Sequence, residues 1–200
     1  MLEARPEMGK YYRSSAIYPN ECVYFMAHDF KTLMLESRCK TLKYRDWLFE
    51  TDMTSAYEYH RRFLQVLQAE APGTWNLKMP SHSLWLETLL KVYPDARLVW
   101  THRDPAKSVP SYASLTSGLY PPGSRPHLDP VWWGRHVANH LREGMEAAVA
   151  ARDRLGDDRF HDVPHHEFVR DPLGTIERIY GFLGLDLTDQ VRERMVRWHV

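Results

Sequence analysis

Apolar residues recur at helical spacing along much of the chain, and this spacing predicts a mainly helical protein. In the helix predicted over about 54–70, for example, Tyr57, Phe63, Leu64 and Leu67 fall on one face. The other helices are predicted from the same pattern, from Pro105 and Pro172 as first-turn prolines, and from Gly184 as a C-terminal cap. They cover about 21–35, 83–93, from 105 onward, 131–155, 172–182 and 188–198.

Three short apolar runs interrupt the helices and predict strands. They are TWNLKMP at 74–80, ARLVWTH at 96–102 and DRFHDVPH at 158–165. The second run is β-branched and apolar, which is typical of a buried parallel strand. The segment 116–130 holds several prolines and glycines and is the clearest predicted loop. Strands that alternate with helices favour an α/β fold with a parallel sheet, although three strands are few for 200 residues.

Composition excludes several classes of function. Acidic and basic side chains balance at 26 each, which disfavours nucleic acid as a partner. The chain has no apolar stretch long enough for a membrane span and no signal peptide. Cys22 and Cys39 are too few for a disulfide framework and favour a reducing compartment, so we expect a cytoplasmic protein.

The residues with candidate chemistry lie between 75 and 115. Lys78 lies at the end of the first predicted strand and His82 follows it, while Arg103 follows the second strand. Ser111 lies eight residues after Arg103, within the next predicted helix. Ligands of open α/β sheets bind at the carboxyl ends of the strands. An arginine beside a helix N-terminus there predicts an anion site, and a histidine with a pKa near neutrality is a candidate general base.

This stretch resembles the sulfotransferases that use 3′-phosphoadenosine 5′-phosphosulfate (PAPS), both the cytosolic and the bacterial type. Arg103, Pro105 and Ser111 match the family's Arg-x-Pro…Ser segment. The run Leu77-Lys78-x-Pro80-x-His82 matches its Leu-Lys-x-Pro-x-His run. The resemblance covers nearly the whole chain from Tyr18 to Trp198.

The resemblance implies a P-loop-kinase-like parallel sheet flanked by helices, and sulfuryl transfer from PAPS to a hydroxyl or amine of a small-molecule, glycan or lipid acceptor. It implies that Arg103 and Ser111 hold the 3′-phosphate of PAPS. It also implies that His82 takes the acceptor's proton and that Lys78 stabilises charge on the transferring group. Cytosolic members place a tyrosine near the adenine, where this sequence has His165.

The sequence departs from the family pattern at its start. The family begins with a strand and a loop like Pro-Arg-Ser-Gly-Thr-Thr, which wraps the 5′-phosphosulfate, and no such loop occurs here. We therefore expect a polar lead-in at 1–17 and an incomplete domain at 18–200. The absent first strand would lie between the strands at 97–101 and 159–163, so we expect unpaired strand edges, self-association and an inactive chain.

Other interpretations stay open. His136 and His140 are four residues apart on one helix, but no third ligand accompanies them, so we expect no metal. The chain could be an inactive nucleotide-binding remnant, an enzyme of another nucleotide class, or a non-enzymatic interaction module. The absence of a Gly-x-x-x-x-Gly-Lys motif disfavours kinases and NTPases.

Overall fold

The computed structural model describes residues 19–39, 41–120 and 128–199. The chain forms two compact units, and the first is composed of residues up to Pro94 together with Val109–Leu155. The second unit is composed of Asp95–Ser108 and the residues from Gly156 onward. The predicted lead-in at 1–17 lies outside the described residues.

Helices make up the regular structure of the first unit. A 3-10 helix at Ala27–Asp29 follows α1, and another at Pro80–Trp85 precedes α5. The α-helices are α1 (Val23–Met26), α2 (Met34–Arg38), α3 (Leu42–Glu50), α4 (Thr54–Gln68), α5 (Leu86–Val92), α6 (Pro105–Leu119, whose first residues belong to the second unit) and α7 (Pro130–Leu155).

The single helix predicted over 21–35 is wrong, because the chain turns at Phe30. Phe30 has a φ of 55°, in the left-handed region that ends a helix. The hydroxyl of Tyr44 holds this turn, since it donates to the Phe30 carbonyl and accepts from the Thr32 amide at 3.0 Å. Periodicity alone does not show such a turn, because the apolar residues on both sides of it keep helical spacing.

The helix predicted over 54–70 is confirmed as α4, but one residue of its predicted face is wrong. Tyr57 and Leu64 are buried, whereas Leu67 is 43% exposed. The buried face instead includes His60, whose side chain is completely enclosed. The helix predicted over 83–93 is divided into a 3-10 helix and α5, and residues 116–119 of the predicted loop complete α6. Residues 121–127 of that loop lie outside the described part of the chain.

The second unit contains a parallel pair of strands, β1 (Leu98–His102) and β2 (Phe160–Pro164), with Leu98 opposite Phe160 and His102 opposite Pro164. The predicted gap between these strands is wrong, because they pair directly. The facing edges of the two strands, which we expected to be unpaired and to cause self-association, are therefore hydrogen-bonded to each other. β1 is also less buried than predicted, since Val99 is 38% exposed.

The run TWNLKMP does not form a strand, and the sheet of the described residues has two strands. Three helices complete the second unit. They are α8 (His165–Arg170), α9 (Pro172–Leu183) and α10 (Asp189–His199). The predicted cap of α9 is confirmed, because Gly184 ends it with a φ of 68°. Within the described ranges no helix is both long and apolar enough to cross a membrane.

Candidate active site

His82 lies in the first unit, on the 3-10 helix Pro80–Trp85, and most of its imidazole is buried. Its Nδ1 forms a hydrogen bond of 2.9 Å with the hydroxyl of Tyr57 on α4. Its Nε2 is enclosed and has no hydrogen-bond partner among the described residues. Burial, with a smaller contribution from His60, lowers the pKa of His82 to about 3. His82 is therefore uncharged at neutral pH.

A second buried histidine lies beside His82. The Nδ1 of His60 forms a hydrogen bond of 2.6 Å with the hydroxyl of Tyr93, and the ring centroids of His60 and His82 are 6.2 Å apart. Burial lowers the pKa of His60 to about 4. Sequence analysis missed His60, although its position three residues after Tyr57 places it on the buried face of α4.

The side chain of Lys78 is exposed, whereas its backbone is held by a hydrogen bond. Its carbonyl accepts a hydrogen bond of 3.1 Å from the amide of Cys22, while its ammonium forms an ion pair with Glu21. The Lys78 side chain is 67% exposed. An exposed ion pair of this kind contributes about 0–1 kcal/mol, so the ammonium can exchange Glu21 for another anion at small cost.

Arg103 directly follows β1 in the second unit, and its side chain is exposed. Within the described part of the chain it forms no ion pair or hydrogen bond. We expected the free N–H groups at the start of α6 to contribute to an anion site. This expectation is wrong, because these N–H groups already donate hydrogen bonds to Asp104. The Ala106 amide donates to the Asp104 carboxylate at 2.9 Å, and the Lys107 and Ser108 amides donate to the Asp104 carbonyl. Of the arginine and the helix N–H groups that we expected to bind an anion here, the guanidinium of Arg103 is the one without a partner among the described residues.

A histidine–aspartate pair borders the same end of the sheet. His102 Nε2 lies 2.5 Å from an oxygen of Asp162 on the neighbouring strand, and the His102 ring stacks on Trp100. His165 follows β2 and is exposed. Sequence analysis missed the pair because cross-strand register brings together residues that are 60 positions apart.

Ser111 belongs to the first unit, as Lys78 and His82 do. It lies on the exposed side of α6, and its hydroxyl has no partner among the described residues. No hydrogen bond or ion pair joins the side chains of Lys78, His82 and Ser111 in the described structure. The roles predicted for these three residues and for Arg103 therefore remain predictions.

The two histidines on α7, His136 and His140, have different surroundings. His136 Nε2 lies 3.0 Å from an oxygen of Glu36, and its ring stacks on Trp132 with centroids 5.1 Å apart. His140 is buried, which lowers its pKa, and its Nδ1 has no partner among the described residues. Both histidines line a small pocket that is partly open to solvent. Within the described ranges no group of three or more histidine, cysteine or acidic side chains could hold a metal ion.

The sequence matches a known protein family over most of its length. A model described as the sulfotransferase family matches residues 2–189. The chain belongs to the sulfotransferase family. The predicted resemblance is thus confirmed over nearly the whole sequence.

Solved members of the family share the fold. The crystal structure of sulfotransferase STF9 from Mycobacterium avium is 39% identical, with a TM-score of 0.83 over 98% of this chain and 54% of that one. Sulfotransferase STF1 from Mycobacterium tuberculosis is 28% identical, with a TM-score of 0.79 over 97% of this chain and 56% of that one. The α/β class, with a small parallel sheet flanked by helices, is confirmed.

A curated relative of the family is the omega-hydroxy-beta-dihydromenaquinone-9 sulfotransferase Stf3 of Mycobacterium bovis. It is 30% identical over 128 residues, which make up 62% of this chain and 32% of that protein. The chain thus matches about half of the length of the solved structures and about a third of this relative.

Proposed function

We propose that the protein transfers a sulfuryl group from PAPS to the hydroxyl or amine of a small-molecule acceptor in the cytoplasm. The observation that carries the proposal is an uncharged, buried imidazole, His82, within the segment that matches the family's Leu-Lys-x-Pro-x-His run. Membership of the sulfotransferase family supports the reaction class. Both cysteines are free thiols, which suits a reducing compartment.

His82 would act on the acceptor. An uncharged imidazole keeps one ring nitrogen with a lone pair, so it can take the proton of an attacking hydroxyl. Its pKa of about 3 makes it a weak base in the free chain. A polyanionic donor nearby favours the charged form of a histidine and would raise this pKa in the complex. Because Nδ1 is bonded to Tyr57, the acceptor would have to reach Nε2, which is enclosed in the free chain.

Arg103 and Ser111 would hold the 3′-phosphate of PAPS. A guanidinium forms two parallel hydrogen bonds with a phosphate, and no acid among the described residues competes for Arg103. Lys78 would leave Glu21 and neutralise charge on the transferring group. PAPS would supply the activated sulfuryl group and leave as 3′-phosphoadenosine 5′-phosphate. The sequence has no run like the Pro-Arg-Ser-Gly-Thr-Thr loop that the family uses around the 5′-phosphosulfate, so we assign no residue to that part of the donor.

The acceptor is proposed to be a lipid alcohol, because the relative Stf3 is named for an omega-hydroxylated dihydromenaquinone. Because the sequence lacks the family's 5′-phosphosulfate loop and is expected to be inactive alone, the test uses the chain with a loop of the Pro-Arg-Ser-Gly-Thr-Thr type added at its N-terminus. This protein is incubated with PAPS labelled on sulfur and with omega-hydroxy-dihydromenaquinone. The same dihydromenaquinone without the omega-hydroxyl is the matched control. We expect label in the hydroxylated lipid alone. Label in neither lipid would contradict the choice of acceptor, and failure with a panel of alcohols and amines as well would contradict sulfuryl transfer.

A further inference from the structure

The hydroxyl of Tyr57 is the group that holds the imidazole of His82 in the described structure. Tyr57 lies on α4 and is completely buried, and its oxygen is 2.9 Å from His82 Nδ1. The two rings lie 5.6 Å apart between centroids. A tyrosine that is fixed on a buried helix face has little freedom to move, so it fixes the orientation of the histidine ring as well.

The direction of this hydrogen bond decides which ring nitrogen carries the proton of the neutral imidazole. If Tyr57 donates to Nδ1, the proton of His82 is on Nε2, and that N–H is the single donor without a partner among the described residues. If Nδ1–H donates to Tyr57 instead, the Tyr57 O–H and the lone pair of Nε2 both lack partners there. Each unsatisfied buried polar group is costly, so the first arrangement is favoured.

We propose that Tyr57 is a positioning residue that sets the proton of His82, so that in the free chain the Tyr57 hydroxyl donates to Nδ1 and His82 carries its proton on Nε2. A histidine in this form presents a hydrogen-bond donor at Nε2, whereas a base needs a lone pair there. His82 becomes a base in the other arrangement, in which Nδ1–H donates to Tyr57. The two arrangements differ in the position of one ring proton and the direction of one hydrogen bond.

A matched control is built into the same region. Tyr93 and His60 form an equivalent bond, 2.6 Å between the hydroxyl and Nδ1, next to the first pair. Tyr93→Phe therefore removes the same hydroxyl group from a neighbouring buried histidine and leaves the Tyr57–His82 bond in place. Both substitutions keep the aromatic ring, and thermal melts verify that the variants fold.

The test is nitrogen NMR of the chain labelled with ¹⁵N-histidine at neutral pH. The signals of His82 are assigned as those absent from the His82→Gln variant. We expect a protonated Nε2 and an unprotonated, hydrogen-bonded Nδ1 in the wild-type chain. We expect Tyr57→Phe to shift the Nδ1 signal and to populate both tautomers, while Tyr93→Phe leaves the His82 signals in place. A protonated Nδ1 in the wild-type chain, or His82 signals that Tyr57→Phe does not change, would overturn the inference.

The catalytic consequence rests on the proposed function and is measured separately. In the transfer reaction of the chain with the added loop, the Tyr57 oxygen accepts from Nδ1–H while Nε2 acts as the base. Tyr57→Phe removes this acceptor and should lower kcat about tenfold, the effect of one lost hydrogen bond, with no change in affinity for the donor nucleotide. Unchanged kcat would overturn the positioning role in catalysis. If the wild-type protein transfers no sulfuryl group, the proposed function fails, while the nitrogen spectra still decide the tautomer.

Discussion

His82 and Arg103 are the two candidate residues whose surroundings differ most. The imidazole of His82 is mostly buried, uncharged and bonded to Tyr57, whereas the guanidinium of Arg103 is exposed and charged. A base near neutrality has to be kept uncharged, and burial achieves this for a histidine. An arginine is charged without burial. To bind an anion it needs only a guanidinium that is not already paired with an acidic side chain. Substitutions at the two positions should therefore have different effects.

The largest expected effect is on turnover. His82→Ala should lower the rate of sulfuryl transfer about 10²–10⁴-fold, the usual contribution of a general base, with donor affinity nearly unchanged. The measurement is steady-state kinetics with PAPS in the chain with the added loop, together with nucleotide binding by calorimetry. His28→Ala, which removes an exposed histidine, is the matched control and should leave turnover unchanged. A His82→Ala variant that keeps more than about a third of the rate would show that His82 is structural.

The contrast between buried and exposed positions can be sharpened on α4. Leu64 is 3% exposed and Leu67 is 43% exposed, although sequence periodicity placed both on one face. We expect Leu64→Ala to lower the free energy of unfolding by about 2–5 kcal/mol because it leaves a cavity. We expect Leu67→Ala to change it by less than about 0.5 kcal/mol. Urea denaturation measures both, and equal losses would contradict the described orientation of α4.

A smaller effect should appear as a dependence of stability on pH. The pKa values of the two buried histidines are about 4 and about 3 in the folded chain, against about 6.5 when unfolded. Below pH 6.5 the unfolded chain binds more protons, so the free energy of unfolding should fall as the pH decreases toward 4. Each histidine contributes a slope of at most about 1.4 kcal/mol per pH unit. Above pH 7 the titration of these two histidines should no longer make the free energy of unfolding depend on pH.

His60→Gln tests this directly, because it removes one of the two titrations. Urea denaturation between pH 4 and pH 7 should show a shallower loss of stability than in the wild-type chain. His166→Gln removes an exposed histidine and should leave the slope unchanged. If His60→Gln and the wild-type chain lose stability at the same rate, His60 is not held in its neutral form.

Sequence reasoning predicted most helices and both strands of the sheet, because Pro172, Gly184 and the apolar runs are local signals. It failed where distant residues decide the structure. Phe30 turns the chain because the Tyr44 hydroxyl reaches it, and TWNLKMP has the composition of a strand without a partner strand among the described residues. The candidate site shows the same difference between local signals and contacts of distant residues. Residue types and spacing singled out His82, whereas its bond to Tyr57 and its neighbour His60 depend on packing.

The measurement that tests the assignment of the donor site most directly is calorimetric titration with 3′-phosphoadenosine 5′-phosphate and with AMP. Arg103 is proposed to contact the 3′-phosphate, which AMP lacks. We expect tighter binding of the bisphosphate, and we expect Arg103→Ala to weaken it about ten- to a hundredfold while AMP binding is unaffected. Arg170→Ala, which removes an exposed arginine from α8, is the control and should change neither affinity. Equal affinity of the wild-type chain for the two nucleotides would contradict the account.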